Sequence, residues 1–214
     1  LAQIRLKKAG NMLETERLLL RKFKSGDWQD LYAYLSLPEI YRFEPGKPTS
    51  LEEAKHLAEE RSRTNNFFAV VLKSSQKMIG HLYFEQVEPK EFLTWELGYI
   101  FNPAFQGQGY CTEAAKRLLE YGFKELQAHR ITAFCDPANP ASWKVLEKIG
   151  LEREGHFKQK AFFRRDRQGQ PVWHDCLAYG ILAGQYLTLF DVAESQNAAM
   201  NPHQEPDDPP TPRR

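Results

Sequence analysis

Hydrophobic positions along this chain switch repeatedly between the period of a strand and that of a helix, and the switches mark out its elements. Leu18 to Phe23 is an apolar run of strand length; Trp28, Leu31, Tyr32 and Leu35 then recur at helical spacing until Leu37-Pro38 stops them. A second helix opens at Ser50-Leu51-Glu52-Glu53, a capping box in which hydroxyl and carboxylate each satisfy a free N–H. Three strands are predicted next: Phe67 to Leu72, Met78 to Val87 and Phe92 to Phe101. Ser74-Ser75-Gln76 and Glu88-Pro89-Lys90 separate them, and connectors this short favour antiparallel neighbours.

From Gly109 the helical period returns. Cys111, Ala114, Ala115, Leu118 and Leu119 share one face, and Glu113, Lys116, Arg117, Glu120 and Lys124 the other, as in a helix lying on a sheet. Arg130 to Cys135 is a further strand. Asn139-Pro140 then reads as N-cap and first helical position, and Gly150 as the C-terminal stop. Leu151 to Lys158 and Val172 to Leu182 form a hairpin around the polar loop Arg164 to Gln170. The sum is an α+β (mixed α/β) fold without internal repeats: one domain over residues 12–190, a mostly antiparallel twisted sheet of six to seven strands, and about four helices.

The two ends lack this pattern. Leu1 to Asn11 is basic and patternless, and is expected to be a leader or an expression-derived extension. Residues 191–214 are expected to form a disordered tail, because Asn201 to Arg214 sets five prolines among charges and offers little apolar surface to bury.

Composition narrows the function. The 214 residues are 42% hydrophobic and 13% aromatic, enough for a core, and the net charge of +1 gives no long-range field to gather a nucleic acid. Cys111, Cys135 and Cys176 are an odd, widely spaced set with no C-x-x-C pair, which fits a reducing compartment rather than structural zinc. The histidines lack the spacing of a ligand set, so no metal is indicated. No apolar run reaches the roughly 20 residues of a membrane helix, and the first residues show no signal-peptide h-region. A cytoplasmic protein is expected.

The richest stretch is Trp95-Glu96-Leu97-Gly98-Tyr99-Ile100-Phe101-Asn102-Pro103-Ala104-Phe105-Gln106-Gly107-Gln108-Gly109-Tyr110. A strand ends at Pro103, two glycines let the backbone turn, and a helix begins at once. Several unpaired N–H groups then point at one place beside the positive end of a helix dipole, which suits a phosphate-bearing ligand. A plain strand-to-helix turn has the same glycine pattern, so the loop needs context.

That context is a resemblance. The loop resembles the Q/R-x-x-G-x-G/A pyrophosphate motif of the GCN5-related N-acetyltransferase (GNAT) superfamily, which lies between the fourth strand and third helix; Gln106, Gly109 and Cys111 occupy the pattern, the thiol replacing a Gly or Ala. The run Asp136-Pro137-Ala138-Asn139-Pro140-Ala141-Ser142-Trp143-Lys144-Val145-Leu146-Glu147-Lys148-Ile149-Gly150-Leu151 is similar to the branch that acetylates ribosomal-protein N-termini, the RimJ/RimL type. So is the opening Leu13-Glu14-Thr15-Glu16-Arg17-Leu18-Leu19-Leu20-Arg21. The likeness covers about Met12 to Leu182, in order.

The resemblance implies an enzyme that binds acetyl-CoA and passes its acetyl group directly to an amine. It implies splayed fourth and fifth strands, pantetheine along the fourth, and contacts from Leu97, Gly98, Tyr99, Ile100, Gln106, Gly107, Gln108, Gly109, Tyr110, Cys111, Asn139 and Ser142. A backbone donor near Leu97 to Tyr99 would meet the oxyanion that forms when an amine attacks a thioester. Glu96 is the candidate base, facing the cleft if Leu97 packs into the core; the alternative is a solvated strand glutamate. Many family members protonate the thiolate with a tyrosine midway along the fourth helix, but Leu146 stands there. Ser142 is the substitute, with reinforcement of the helix cap as its other role. Asn139 would cap and bind pantetheine with one side chain. Cys111 at a helix start also raises a covalent route, although its place in the apolar stripe marks a packed residue. His174-Asp175 could reach the acceptor or form a surface pair, and Arg164-Arg165-Asp166-Arg167 could meet adenosine phosphates or an acidic protein, or be a solvated hairpin tip. The acceptor is expected to be a protein N-terminal amine. A polyamine or aminoglycoside acceptor, or a silent acyl-CoA sensor, stands as the alternative, and the chain as a monomer or homodimer.

Overall fold

A capping box and a run of alternating strands set the frame in the computed structural model, which describes residues 12–189. The expected leader (1–11) and tail (191–214) lie outside the described residues. The elements are β1 (Leu13–Glu14), β2 (Leu18–Lys22), α1 (Trp28–Leu35), α2 (Leu51–Ser62), β3 (Phe67–Leu72), β4 (Lys77–Gln86), β5 (Thr94–Phe101), α3 (Tyr110–Glu120), β6 (Arg130–Cys135), α4 (Pro140–Lys148), β7 (Glu152–Arg165) and β8 (Pro171–Leu182). A π-helical turn, Tyr121–Glu125, extends α3, and residues 183–189 are helical again.

The strands form one sheet in the order β1-β2-β3-β4-β5-β6-β8-β7. Every neighbouring pair is antiparallel except β5 and β6. That makes eight strands and five α-helical segments among the described residues, against the six to seven and about four expected. The added strand is the two-residue β1, too short to show a period; the added helix begins where the β8 pattern was taken to end. Because of β1, the family's fourth and fifth strands are β5 and β6 here.

Alternation along the strands feeds two cores. Leu20, Val70, Leu82 and Leu97 face α3 and α4 with Ala114, Ala115, Leu118 and Leu146, whereas Ala69, Val71 and Met78 face α1 and α2 with Leu31, Tyr34 and Ala58. Ser50 and Glu53 cap α2 reciprocally: the Glu53 amide donates to Ser50 Oγ at 3.3 Å, and the Ser50 amide donates to Glu53 Oε2 at 2.7 Å. Two boundaries move by more than one residue. β5 starts at Thr94 rather than Phe92, because Lys90–Phe92 is a 3-10 turn that ends on Leu93 in the left-handed region (φ 49). β7 runs on to Arg165 because its ladder continues past a bulge, where Gln159 is left-handed (φ 50) and donates its amide to Asp175.

Candidate active site between β5 and β6

The register of the sheet opens the site. β5 stays paired with β4 along its whole length, from Trp95 opposite Gln86 to Phe101 opposite Gly80. With β6 it shares only Thr94, Trp95 and Glu96, opposite Arg130, Ile131 and Thr132, while β6 continues to Cys135 beside β8 alone. Beyond Glu96 the two parallel strands part. This is the splay expected of the fourth and fifth strands.

The same register sorts the backbone of β5. Val87 donates to the Thr94 carbonyl and Asn102 to the Ile79 carbonyl, so the even-numbered residues between them turn their amides toward β4. Gly98 and Ile100 therefore add no free amide to the gap. The parallel pair Glu96–Thr132 engages the amide of Leu97, which leaves the Tyr99 N–H as the first donor aimed into the gap. The expected stretch of donors narrows to one. Gly98 carries neither a bulge nor a forced contact, since an added Cβ would lie 3.5 Å from Tyr83 Cβ.

At the far end of β5, Pro103–Phe105 makes a 3-10 turn, and Gln106 anchors it by donating its side-chain amide to the Phe101 carbonyl at 3.1 Å. Gly107 (φ 74) and Gly109 (φ 81) both sit in the left-handed region, and α3 starts at Tyr110. The first helical bond is from Glu113 to the Gly109 carbonyl. Among the described residues, the amides of Gly107, Gln108, Gly109, Tyr110, Cys111 and Thr112 bond no protein acceptor, and they cluster at a helix start. Arg17 pins the loop from β2: it donates to the Gln108 carbonyl at 3.1 Å and to Glu113 at 2.6 Å, and stacks 4.4 Å over the Tyr110 ring. Burial pulls the Glu113 carboxyl up, but hydrogen bonds from Thr15 and Arg17 outweigh it and hold the group below its ordinary range. Such a row of free amides fits a diphosphate.

An acetyltransferase (GNAT) domain model matches residues 17–152. The chain belongs to that family. YnaD, an uncharacterised N-acetyltransferase of Bacillus subtilis (strain 168), is 40% identical over 148 residues, 69% of this chain and 86% of that protein. The structure of a GNAT-family acetyltransferase from Bacillus anthracis is 35% identical, with a TM-score of 0.73 over 81% of this chain and 99% of that one. Two further structures, each 24% identical, share the fold. One is the ribosomal-protein-S5-alanine acetyltransferase of Vibrio fischeri (TM-score 0.66, 82% and 98% covered). The other is the spermidine N-acetyltransferase of Vibrio cholerae, solved with CoA and spermine (0.67, 81% and 99%). The protein is thus an acetyl-transferring enzyme of a family that uses acetyl-CoA.

In this GNAT domain the fourth-helix position of the usual tyrosine is filled by Leu146, 1% exposed in the core. A phenol nevertheless arrives from another element. Tyr99 of β5 reaches across the gap, donates to the Ser142 carbonyl at 2.9 Å and stands 3.1 Å from Ser142 Oγ. Burial pushes the Tyr99 hydroxyl well up, so it stays protonated. Ser142 does not spend its hydroxyl on the helix cap: Asn139 Oδ1 accepts the Ser142 amide at 3.3 Å, and Asn139 Nδ2 meets no protein acceptor among the described residues. Cap and ligand roles on Asn139 thus use different atoms.

Glu96 lies on the other face of β5, directly opposite Glu85. Leu97 is buried in the core, as the cleft-facing reading of Glu96 required. Burial first and the Glu85 charge second push the Glu96 carboxyl up, while hydrogen bonds from Tyr83 (2.5 Å) and Asn66 (3.2 Å) hold Glu85 down. Ser142, in contrast, lines a cavity of about 170 Å³ together with Asn139, Cys135, His174 and Glu44. Glu96 is not among its walls, so the two expected catalytic groups flank the gap from different sides.

Sequence reasoning missed Glu44, Tyr99 as a phenol, and the true partner of His174. Glu44 follows a 3-10 turn in a patternless loop, and burial alone pushes its carboxyl up to about 7. His174 pairs with Asp136, its Nδ1 standing 2.7 Å from Oδ2, while the adjacent Asp175 pairs with His156. Only the alternating face of β8 hinted at that separation. Cys111 is half-buried, and burial drives its thiol well up, against the thiolate that a covalent route needs. Arg164, Arg165 and Arg167 are exposed at the hairpin tip, where Asp166 closes the turn by accepting the Gln168 and Gln170 amides.

Proposed function

We propose that this enzyme transfers the acetyl group of acetyl-CoA directly to the α-amine of a protein N-terminus. The observation that carries the acceptor is the cavity beside Ser142. Its volume of about 170 Å³ is about six waters' worth, room for an amine and a small first side chain such as alanine or serine. Glu44, Asp136 and Asp175 outnumber Lys160 on its walls, so it favours a cation. The Vibrio fischeri structure of a ribosomal-protein-S5-alanine acetyltransferase supports the same reading.

Each step falls to residues already placed. Amides from Gly107 to Thr112, with Gln106 holding the turn, receive the diphosphate, and Asn139 Nδ2 is free for the pantetheine. The Tyr99 amide stabilises the oxyanion without reorganisation, because the ladder holds it in place. The Tyr99 and Ser142 hydroxyls supply the proton for the departing thiolate. Glu96, across the gap from that cavity, takes a proton from the amine through a bridging water, and burial pushes its carboxyl up.

The acid walls also suit a polyamine, the substrate class named for the Vibrio cholerae neighbour. A panel of acceptors with mass-spectrometric readout separates the readings: peptides with N-terminal Ala, Ser, Leu or Lys, alongside spermidine, spermine and an aminoglycoside. Acetylation of Ala or Ser peptides at the α-amine is expected. Turnover of spermidine alone would move the function to small amines, and cofactor binding without turnover on any amine would make the protein a sensor.

A further inference from the structure

The net reaction at neutral pH turns an ammonium and a thioester into an amide, a thiol and one proton. The C–S bond breaks and a C–N bond forms; two protons leave the nitrogen and one goes to the sulfur. Glu96 takes one nitrogen proton; the other must restore the proton that Tyr99 and Ser142 give the sulfur, so a second acceptor on the amine side is needed that can pass it back across the cavity.

We propose that His174, oriented by Asp136, is that second acceptor; this rests on the acetyl-transfer reading above. His174 and Asp136 face each other across β8 and the turn after β6, with side chains only 12% and 8% exposed. Asp136 is itself fixed, since the Ala138 amide donates to its Oδ1 at 2.7 Å. Its Oδ2, 2.7 Å from His174 Nδ1, holds the Nδ1–H tautomer. Nε2 then carries the lone pair and bonds no protein atom among the described residues, and the imidazole lines the cavity that holds Ser142 and Glu44. The Phe163 ring lies 5.2 Å from the imidazole at 31°, which fixes its plane. Orienting carboxylate, tautomer-locked imidazole and open cavity are the parts of a base held ready. His174 is the catalytic residue of the pair, and Asp136 is the positioning residue.

The other titratable groups lining the cavity are Cys135 from β6, Lys160 from β7, Asp175 and Cys176 from β8, and Glu44 from the loop after α1. Asp175 is engaged by the Gln159 amide and His156, which hold its carboxyl below the usual range. Burial pushes the Cys135 thiol up to about 12, so it stays neutral. None of these bonds His174, and Asp136 remains its partner.

The test uses His174→Gln, His174→Ala and Asp136→Asn in the full chain, with the amine that the acceptor panel identifies. His174→Gln is expected to lower kcat about 10²-fold to 10³-fold while the acetyl-CoA Kd changes less than about threefold, and to remove the histidine limb from the pH profile of kcat. Added imidazole should restore part of the rate of His174→Ala. Asp136→Asn should cost about tenfold in kcat with acetyl-CoA affinity unchanged. Independently of turnover, ¹⁵N NMR of the imidazole should show the Nδ1–H tautomer in the wild type and its loss in Asp136→Asn. Wild-type kcat and pH profile in a folded His174→Gln would overturn the proposal, and so would an Nε2–H tautomer in the native enzyme. A wild type that acetylates no amine would instead overturn the transfer reading, and the tautomer spectrum would still decide whether the dyad is built as described.

Discussion

Replacing Gly109 with alanine should weaken acetyl-CoA binding through backbone strain. Gly109 has φ 81, where an L-residue pays about 1–2 kcal/mol, and its new Cβ would meet the tip of Arg17 at 3.4 Å. That neighbour is a mobile guanidinium, so strain outweighs the clash. If the loop keeps its shape, the cost lowers stability; if it relaxes in the free enzyme, the cost falls on binding as roughly a 5-fold to 30-fold rise in Kd. The two losses should sum to about 1–2 kcal/mol. Calorimetry with acetyl-CoA and with a pantetheine fragment lacking the diphosphate, alongside denaturant melts, measures both parts. Gly107 (φ 74, nothing within 4 Å of a new Cβ) isolates the conformational effect. There asparagine, which tolerates the left-handed region, should lose less than alanine. Gly98→Ala serves as the control and should bind normally. Unchanged stability and affinity in Gly109→Ala, or an equal affinity loss for the pantetheine fragment, would refute the idea that these amides hold the diphosphate.

Tyr99→Phe and Ser142→Ala should each lower kcat about 10²-fold, and Glu96→Gln should slow transfer as well, all with acetyl-CoA affinity nearly intact; the Tyr99/Ser142 double variant should lose less than the product, because the two hydroxyls act as one unit. Wild-type single-turnover rates in all three variants would remove these assignments. For Glu44 the sign is unusual. Its folded carboxyl titrates near 7 and its unfolded one near 4.5, so the folded state holds the extra proton and stability falls as pH rises through that window. Glu44→Gln should therefore be about 1–3 kcal/mol more stable than wild type at pH 8, after solvent screening, and equal to it below pH 4.5. Denaturation curves at the two pH values check this. Cys111→Ala should turn over normally, and a stable acetyl-thioester on Cys111 seen by intact-mass analysis would revive the covalent route.

Local signals made most of the fold readable. The Ser50 box, the Asn139-Pro140 cap and the left-handed Gly150 each act within a few residues, and each ends or starts a helix where its chemistry says it should. The glycine loop was legible for the same reason, because its conformation is set by Gly107 and Gly109 themselves. Long-range facts were not. Which amides of β5 are free depends on where β6 stops pairing, about 36 residues further along the chain, and no local pattern encodes that distance. Glu44 lies in a loop without a period, so nothing in its neighbours announces burial. The Asp175 next to His174 looked like its partner, but successive strand residues point to opposite faces, and Asp136 from another element takes the place.

The fate of the missing tyrosine shows why the site must be read by position in space rather than by position in a motif. A leaving thiolate needs an O–H near the start of α4; it does not need that O–H to grow from α4. Leu146 packs into the core, and Tyr99 delivers a phenol to Ser142 from the opposite side of the gap. Tyr99 can do so only because β5 and β6 part after Glu96, which leaves its side chain on the α4 face and its amide facing the gap. In the proposed mechanism one residue then offers an oxyanion donor through its backbone and a proton donor through its ring. If so, Tyr99→Phe should remove only the second contribution. The oxyanion donor survives that substitution, so the variant should retain a slow transfer, and an acetyl thioester with a more acidic leaving thiol should recover part of the lost rate. Abolished cofactor binding in Tyr99→Phe would show instead that the ring holds the gap open, and the phenol would then be a wedge.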